Sequence, residues 1–466
     1  MTTLPRTSHL PTAAQGEAAQ LTETEAAYSR FVPKRFLQLL GVDDIRTVQL
    51  GQQVERSMTI LFSDIRDFTS LSESMSPQEN FNFLNSYLVQ MEPVIAAHGG
   101  IIDKYIGDAI MALFPNSPDD ALRCSLAMLA KLDEYNAGRE RAGYQPIKIG
   151  VGINTGIVIL GTVGSEGRMD GTVIGDAVNL AARLERLTKE YEVPILISEY
   201  TLSSLENTKP WSLRFLDRTH VRGKHDNQSV YEVVDADPPA LRVAKKNTLG
   251  TFQQALAHYH LGNFSAAHAH FSRCLAEVSE DSAARAYLLR CAVAMQLPIQ
   301  TNPSARATDF TWHDEYALGI TTLDVAHRDL FNDINNLAHT IQAYPLQAEN
   351  SALIAPLLTQ IHAAATQAFS LQEHMMQDKN YPFAELHTRQ HLRFFDYLKE
   401  LQAEIERDGT DPIYLGFRVK NMLTDWLINH VLNTDRHFAH HLNGRTVDHI
   451  TEHSIANAQS GKSPSV

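Results

Sequence analysis

The sequence predicts a multidomain protein in which an α+β domain with a central sheet is followed by a short helical segment and an all-α four-helix bundle. Three observations predict this order. Strand and helix patterns alternate from residue 57 to 235, Pro238-Pro239 marks a boundary, and helical patterns continue from residue 310 to 445. A chain of 466 residues is also longer than one compact core usually accommodates.

The α+β domain follows a polar, flexible tail at residues 1–25 and a signalling helix assigned to residues 26–56 and closed by Gly41. Inside the domain, Ser76-Pro77-Gln78-Glu79 predicts a helix start, because serine at the N-cap and glutamate three residues later form a capping box. We expect one apolar face on this helix, consisting of Phe81, Leu84, Leu88 and Met91. Short apolar runs predict strands at 58–62, 147–153 and 194–198.

Composition excludes several classes of protein. The formal charge of −14 argues against nucleic-acid binding as the main activity, since phosphate backbones attract concentrated lysine and arginine. The chain has no run of about 18 apolar residues, and its start lacks the basic and apolar stretches of a signal peptide. The three cysteines imply no disulfide framework. We therefore expect a cytoplasmic protein without a membrane span.

Two aspartates stand where strands end in the α+β domain. Asp64 belongs to Phe62-Ser63-Asp64-Ile65-Arg66-Asp67-Phe68-Thr69, and Asp108 ends Gly99-Gly100-Ile101-Ile102-Asp103-Lys104-Tyr105-Ile106-Gly107-Asp108. An aspartate that ends a buried strand before a helix start puts carboxylate oxygens beside free N–H groups. This combination suits a divalent cation that holds a polyphosphate, whereas an isolated aspartate of this kind is more often a cap or turn residue.

Two further motifs follow in the same domain. They are Thr172-Val173-Ile174-Gly175-Asp176-Ala177-Val178-Asn179-Leu180-Ala181-Ala182-Arg183 and Val221-Arg222-Gly223-Lys224. With all four motifs in order, residues 28–235 resemble the class III nucleotidyl cyclases, and the catalytic domain itself is assigned to residues 57–235. The resemblance implies a ferredoxin-like sheet with helices and an active enzyme, since no metal, ribose or transition-state position is missing.

The resemblance also assigns roles. Asp64 and Asp108 would hold two magnesium ions per active site, with manganese as a substitute. Asn179 and Arg183, four residues apart on one helix face, would orient the ribose and stabilise charge on the α-phosphate. Further substrate contacts are assigned to Ile65 (through its backbone carbonyl), Phe68, Thr69, Lys224 and Arg168, the last of which is otherwise an exposed loop arginine.

Lys104 and Thr172 occupy the two positions that read the base in this family. A lysine donates to adenine N1, whereas the N1–H and amino group of guanine need an acceptor. The resemblance therefore implies an adenylyl cyclase that converts ATP to cyclic AMP and pyrophosphate, with guanylyl cyclase as the alternative. The family binds its nucleotide between two domains, and this chain carries one complete copy, so we expect a head-to-tail homodimer.

Beyond Pro238-Pro239 the sequence is helical. Residues 240–296 have the spacing of a tetratricopeptide-like helix pair, which we expect to pack on a neighbour because a lone repeat cannot bury its own face. Residues 297–309 form a predicted linker, and residues 446–466 a predicted disordered tail. Breaks near Pro345, Tyr381-Pro382 and 408–412 divide the bundle at 310–445 into four helices.

Histidines are concentrated in this last region, with 13 of the 21 after residue 307, and histidine is the commonest neutral metal ligand. His387 and His391 are four residues apart on one helix face. His430 and Asp435 are five apart, about 140° around an ideal helix, so both reach one centre only if the helix distorts. His327 lies on an apolar stripe, where a histidine is either a hydrogen-bonded core residue or a ligand.

Together these segments resemble bacterial hemerythrins across residues 310–445. The resemblance implies a centre of two irons with a bridging glutamate and a bridging aspartate. Carried over by position, the iron ligands in this chain would be His387, His391 and His430 on one iron, Asp435 as a bridge, and His327 on the other iron.

The sequence departs from the hemerythrin pattern at two positions. Ala368 stands where a histidine is expected, and Gln372 stands where the bridging glutamate is expected and offers only a neutral amide oxygen. A diiron centre, a single iron or zinc ion, and a metal-free bundle are therefore three alternatives. We expect the bundle to regulate the cyclase through oxygen, redox state or iron, and the alternative is an oxygen- or iron-binding protein with an idle cyclase domain.

Overall fold

A mixed sheet organises the first half of the chain in the computed structural model, which describes residues 34–165, 167–220, 227–296, 312–343, 351–407 and 411–443. Its strands are β1 (Gln53–Ile65), β2 (Ile101–Ile106), β3 (Ala109–Phe114), β4 (Ile149–Ser165), β5 (Arg168–Ile174), β6 (Ile195–Ser198), β7 (Leu213–His220) and β8 (Asn227–Val233). They lie in the order β2-β3-β1-β4-β6-β8-β7, and β5 pairs with β4. Among the described strands, β4 and β6 run parallel and the other pairs are antiparallel.

The longest pairing joins β1 to β4. Gln53 lies opposite Gly161 and Ile65 opposite Ile149, so all 13 residues of β1 have a partner. Residues 58–63 are buried without a break. Both faces of β1 are covered, so its buried residues form a continuous run, which is typical of a central strand. The strand extends beyond the predicted 58–62. Its ends are polar, so the apolar pattern that predicted the strand did not include them.

Helices cover both faces of the sheet. They are α1 (Lys34–Leu40), α2 (Phe68–Glu73), α3 (Pro77–Ala97), α4 (Pro118–Arg141), α5 (Asp176–Tyr191) and α6 (Glu199–Ser204). The capping box at the start of α3 is confirmed: Ser76 Oγ accepts from the Glu79 N–H, and Glu79 accepts from the Ser76 N–H. The predicted buried face of α3 is partly wrong, because Phe81 is 64% exposed. The buried residues of α3 are Phe83, Tyr87, Met91 and Ile95.

The segment assigned to a signalling helix is only partly helical. Of residues 26–56, those before Lys34 lie outside the described residues, and α1 ends at Leu40. Gly41, with a backbone φ of 79°, stops the helix as predicted, since this left-handed conformation costs glycine little. From Gln53 onward the chain already belongs to β1. The tails at 1–25 and 446–466, the linker at 297–309 and Lys224 also lie outside the described residues.

The helical segment after the sheet packs directly on it. It consists of α7 (Pro239–Asn247), α8 (Leu249–His260), α9 (Phe264–Glu277) and α10 (Ser282–Gln296). The Tyr287 hydroxyl on α10 donates to the backbone carbonyl of Leu216 in β7 at 3.0 Å. Phe252, Phe271 and Tyr287 belong to the same buried core as the sheet residues. The sheet is thus a neighbour that buries the apolar face of this segment.

The C-terminal region is helical and has its own buried core. Its helices are α11 (Thr321–Ala343), α12 (Ser351–Asp378), α13 (Ala384–Ile405), α14 (Pro412–Val419), α15 (Asp425–Asn429) and α16 (Arg436–Leu442), with π-helical turns at Lys420–Thr424 and His430–Asp435. The interruption between α12 and α13 contains Tyr381-Pro382, as predicted, whereas the break predicted near Pro345 falls outside the described residues. No described helix is both long and apolar enough to cross a membrane.

Buried contacts join the C-terminal region to the rest of the chain. The hydroxyls of Tyr231 in β8 and Tyr397 in α13 both donate to the Glu199 carboxylate at the start of α6. Phe417 in α14 stacks on His260 in α8, with ring centroids 5.5 Å apart. The sheet, the middle helices and the C-terminal helices therefore share buried surfaces.

A buried charge network ties the middle helices to the sheet. Arg214 in β7, only 2% exposed, donates to both carboxylate oxygens of Asp281 at 2.6 and 3.0 Å. Arg214 also donates to Glu232 at 2.7 Å, and Lys245 donates to the second oxygen of Glu232 at 2.7 Å. The guanidinium lies 4.0 Å from the centre of the Phe252 ring, which adds a cation–π contact.

We predict that Arg214→Met lowers the free energy of unfolding by about 3–5 kcal/mol, because it leaves Asp281 and Glu232 as buried charges without their main partner. The measurement is the midpoint of urea unfolding. The matched control is Arg123→Met, which removes an exposed pair with Asp120 that is worth about 0–1 kcal/mol. Equal midpoints for the two variants would contradict the role of this network.

Candidate active site and histidine cluster

Two strand connections bring Asp64 and Asp108 together. Asp64 stands at the penultimate position of β1, and Asp108 lies in the turn between β2 and β3. Gly107 adopts a backbone φ of 66° in this turn, a conformation that glycine reaches at little cost. Because β3 pairs with β1, the turn lies beside the end of β1, and the Ile65 N–H donates to Asp108 Oδ2 at 3.3 Å.

The proximity of these two carboxylates has an electrostatic consequence. Partial burial and the adjacent Asp108 raise the pKa of Asp64 to about 7. Two like charges side by side are unfavourable, and a cation between them removes the repulsion. Paired carboxylate oxygens are also the ligands that magnesium prefers. The residues present therefore fit divalent magnesium at this position.

A second layer of charge lies near the aspartates and was missed from the sequence. Arg66 forms an ion pair with Glu185 of α5 at 3.6 Å and donates to the Thr188 hydroxyl. A side chain at Gly150 in β4 would place its Cβ only 2.0 Å from the Arg66 guanidinium. Glycine at 150 therefore gives Arg66 room to cross the sheet, and burial raises the pKa of Glu185. The available sequence signal was the pair of glycines at 150 and 152 in an otherwise apolar strand.

The two predicted base-reading residues are in contact. Lys104 Nζ donates to Thr172 Oγ1 at 2.9 Å, although 68 positions separate them in the chain. The same ammonium lies 3.3 Å from Asp103 Oδ2. Lys104 is on β2 and Thr172 is on β5, which pairs with β4 at the edge of the main path of the sheet. One ammonium and one hydroxyl thus form a joint hydrogen-bonding unit.

The remaining predicted substrate residues lie on several elements. Asn179 and Arg183 are one turn apart near the start of α5, Asn179 exposed and Arg183 half-buried. Arg168 is exposed at the start of β5. Phe68 stacks on Phe83 with ring centroids 6.3 Å apart, so its ring packs against the hydrophobic core. Thr69, next to it in α2, is exposed, and Lys224 lies outside the described residues.

The C-terminal region brings three histidines and one aspartate to one buried point. The facing ligand atoms of these residues all lie within 4.8 Å of one another: His387, His391, His430 and Asp435. The first two residues are on α13, and the last two begin and end one π-helical turn. The predicted distortion is therefore present, because a π turn places residues five apart on the same side of the helix. Among the described residues, this is the group of three or more histidine, cysteine, aspartate or glutamate side chains that could hold a metal ion.

The distances inside the cluster are short. The Nε2 atom of His430 lies 3.1 Å from Nε2 of His387 and 3.2 Å from Nε2 of His391. Asp435 Oδ1 lies 3.0 Å from His387 Nε2 and 3.1 Å from His430 Nε2. Each of the four side chains is at most 2% exposed. Four potential ligand atoms thus surround one small volume without contact with solvent.

Polar side chains orient the rings from outside. His391 Nδ1 lies 2.9 Å from Glu373 Oε1, and His430 Nδ1 lies 3.0 Å from Gln390 Oε1. Such outer partners fix the ring and leave Nε2 directed inward, as in metal-binding histidines. Gln372 Nε2 donates to Asp435 Oδ1 at 2.9 Å. The structure thus places Gln372 beside the cluster.

His327 and Ala368 complete the surroundings. His327 Nε2 lies 3.3 Å from Asp435 Oδ2, and neither ring nitrogen has a hydrogen-bond partner within the described residues. Ala368 is buried and contributes no ligand atom. Burial lowers the pKa of His327 and of His391, and lowers the pKa of His387 to about 4. A lowered pKa favours the neutral ring, which is the state in which histidine binds metal.

Comparison with known proteins supports the catalytic nature of the sheet domain. Residues 50–234 match the family model described as adenylate and guanylate cyclase catalytic domain. An adenylate cyclase of Anabaena cylindrica is 46% identical over 220 residues, covering 46% of this chain and 44% of that protein. A terminal-differentiation specific adenylate cyclase of Dictyostelium discoideum is 38% identical over 278 residues, covering 58% of this chain and 13% of that protein. The chain thus spans less than half the length of these relatives.

Solved structures of similar proteins include a bacterial light-regulated adenylyl cyclase that is 28% identical to this chain. The match covers 48% of this chain and 65% of that chain, with a TM-score of 0.42. The guanylyl cyclase Cya2 is 37% identical and covers 40% of this chain and 95% of that chain, with a TM-score of 0.36. The family match and the adenylate cyclase relatives together support a class III adenylyl/guanylyl cyclase catalytic domain at residues 50–234.

We predict that Asp64→Asn stabilises the magnesium-free protein more at pH 8 than at pH 5. The folded-state pKa of Asp64 is raised, so the stability gained by binding a proton is present below about pH 4 and is lost as the pH rises through about 7. Above pH 7 the partly buried Asp64 carboxylate is charged beside Asp108, and the amide removes that charge. The measurement is the thermal unfolding midpoint in chelator at both pH values.

The matched control for this comparison is Asp133→Asn, which changes an exposed acid on α4. Its effect on the unfolding midpoint should be small and similar at the two pH values. A gain for Asp64→Asn that is independent of pH would contradict the raised pKa of Asp64.

Proposed function

We propose, from the premise that residues 50–234 are a class III cyclase catalytic domain, that this chain is an adenylyl cyclase. It converts ATP to cyclic AMP and pyrophosphate at sites shared by two copies of the chain. The C-terminal helices form a hemerythrin-like bundle that regulates the reaction. The contact between Lys104 and Thr172 is the observation that supports ATP as the substrate. The paired carboxylates of Asp64 and Asp108 support a reaction that uses divalent cations.

The preference for adenine follows from hydrogen-bond polarity. Lys104 has three N–H donors and no acceptor, and one donor is engaged by Thr172 Oγ1. A second donor can reach adenine N1, and the Thr172 oxygen has a remaining lone pair for the adenine amino group. Guanine presents an N1–H donor at the corresponding place, so two donors would face each other. The site therefore favours ATP over GTP.

The reaction is an in-line displacement on the α-phosphate. The ribose 3′-oxygen forms a bond to the α-phosphorus, the bond to the bridging oxygen of the β-phosphate breaks, and the 3′-hydroxyl proton is released. Asp64 and Asp108 would hold the magnesium ions, which supply positive charge to the 3′-oxygen and the triphosphate. Asn179 would position the ribose, and the Arg183 guanidinium would stabilise the added charge on the α-phosphate.

The shared site is part of the proposal because the chain carries one copy of each motif. A two-fold symmetric, head-to-tail pair of chains would create two equivalent sites. In each site, Asp64 and Asp108 would come from one copy, and Lys104, Asn179 and Arg183 from the other.

The proposed regulation rests on direct contacts between the helix that carries His430 and the sheet domain. Asp425 forms a buried ion pair with Arg218 in β7. Asn429, adjacent to His430, accepts a hydrogen bond of 2.7 Å from Gln228 in β8. Any change in the position of His430 therefore acts on two neighbouring strands of the catalytic domain. Such a contact provides a physical route for regulation, and its coupling free energy is what an experiment must measure.

For the enzyme activity, we predict that the purified full chain makes cyclic AMP from ATP with magnesium and prefers ATP to GTP. Asp64→Ala and Lys104→Ala should each lower kcat/KM for ATP by about 100-fold or more, because each removes a charged contact to the nucleotide or its ions. The measurement is steady-state turnover with both nucleotides. A preference for GTP would overturn the base assignment.

Co-expression of the two inactive variants tests the shared site separately. Random pairing makes half of the dimers mixed, and each mixed dimer has one intact site of two, so about a quarter of wild-type activity should return. Recovery is absent if each chain carries a complete site of its own. Activity with neither nucleotide in the wild-type chain would overturn the proposed function itself.

For the regulation, we predict that Asn429→Ala moves the ratio of turnover between metal-loaded and metal-stripped bundle towards one. The variant removes the hydrogen bond to Gln228 but no ligand of the cluster, so metal content should not change. The control is Asn332→Ala, an exposed asparagine on α11. An unchanged ratio in Asn429→Ala would mean that this contact does not transmit the signal.

A further inference from the structure

We propose that the histidine cluster binds one divalent transition-metal ion, and that it does not hold the two irons of a hemerythrin centre. The ligands are Nε2 of His387, His391 and His430 and one carboxylate oxygen of Asp435. The inference deepens the regulatory role and rests on the bundle part of the proposed function. Metal content is measured without nucleotide turnover, so either proposal can fail alone.

The facing nitrogens suit a cation. His391 Nδ1 faces the Glu373 carboxylate, which can only accept, so this nitrogen carries the proton. His430 Nδ1 faces Gln390 Oε1, which also accepts from the Thr434 hydroxyl, so it too carries the proton. With these tautomers the two Nε2 atoms face each other across 3.2 Å. Each Nε2 can offer a lone pair to one cation that lies between them.

The size of the cluster suits one ion. Adjacent ligands about 2.0–2.1 Å from a metal are separated from one another by roughly 2.8–3.4 Å in octahedral and tetrahedral geometry. The distances from His430 Nε2 to the other two Nε2 atoms are 3.1 and 3.2 Å, and Asp435 Oδ1 lies 3.0 and 3.1 Å from two of the nitrogens. Three imidazoles and one carboxylate are a ligand set for zinc or ferrous iron.

Charge argues against a second ion. Asp435 is the one carboxylate within the described cluster, and it is fully buried. Glu373, the next carboxylate, lies on the outer side of His391 and is partly exposed. Two divalent ions would place four positive charges against one negative charge in a dry core, where uncompensated charge is very costly. One ion with Asp435 leaves a single excess positive charge.

The surroundings of Gln372 and Ala368, the two departures from the hemerythrin pattern, also disfavour a second ion. The Gln372 amide donates its N–H to Asp435 Oδ1, so the NH₂ group stands where a bridging carboxylate oxygen would be needed. An N–H donor repels a cation. Ala368, one turn earlier on α12, ends in a buried methyl group. The neighbouring Phe369 ring stacks on His391 at 4.1 Å and closes that side of the cluster.

His327 lies beside the cluster and is not assigned as a ligand of the metal ion. Its Nε2 lies 3.3 Å from Asp435 Oδ2, the carboxylate oxygen that is not shared with the other histidines. We assign it to the outer side of the site, where a small ring rotation would let it donate to Oδ2. That hydrogen bond would orient Asp435 towards the metal, as outer partners of metal ligands do.

The test is metal content per chain on the full-length protein, purified anaerobically from iron-supplied cells, stripped, and titrated with Fe²⁺, Zn²⁺ or Co²⁺ alone. We expect saturation at one ion per chain and a raised unfolding midpoint in the loaded protein. Asp435→Asn, which keeps the shape of the side chain, should lose the tightly bound ion. His374→Ala, an exposed histidine on α12, is the matched control and should keep it. Two ions per chain, or none, would overturn the proposal.

A gain-of-function variant tests the reason for the single ion. Ala368→His combined with Gln372→Glu supplies the missing imidazole and the missing negative charge on one face of α12. Iron content should rise from one to two per chain in this variant. If a folded variant still saturates at one ion, these two positions do not explain the loss of the second iron, and the proposed reason for a single ion is wrong.

Discussion

The pairing of β1 with β4 is the constraint on which the rest of the structure depends. It holds 13 residues of β1 in one register and places Asp64 opposite Gly150. Because position 150 has no side chain, Arg66 crosses the strand and reaches Glu185 on α5. The other edge of β1 pairs with β3, which delivers Asp108. A one-residue slip between β1 and β3 would separate the aspartates and turn their side chains to opposite faces.

The same sheet also anchors everything that follows it in the chain. Its last strands, β7 and β8, carry Arg214, Arg218 and Gln228, and each of these makes a buried polar contact with a helix outside the catalytic domain. Buried ion pairs add little net stability compared with apolar packing, but breaking one is costly. These contacts therefore fix how the helices sit on the sheet more than they strengthen it.

Some features were predictable because they depend on local chemistry. The capping box at Ser76 and the stop at Gly41 follow from local residue types, and both are present. The five-residue spacing of His430 and Asp435 implied a distorted helix if both reach one centre, and a π-helical turn is present there. Other features depend on tertiary packing. The exposure of Phe81 could not be predicted, because a helix with apolar residues on several sides is oriented by what covers it. The contact between Arg66 and Glu185 could not be predicted either, because it depends on how α5 packs on the sheet.

Both candidate metal sites are built on carboxylates, and their surroundings predict opposite behaviour. Asp64 and Asp108 are partly exposed, supply only oxygens and repel each other, which suits a hard cation that arrives and leaves with a polyphosphate. Asp435 is fully buried among imidazoles, which suits a softer ion that exchanges slowly. In the proposed function, the exchangeable ions take part in catalysis and the buried ion takes part in regulation. The physical difference between the sites therefore agrees with the proposed division between a reacting centre and a regulatory one.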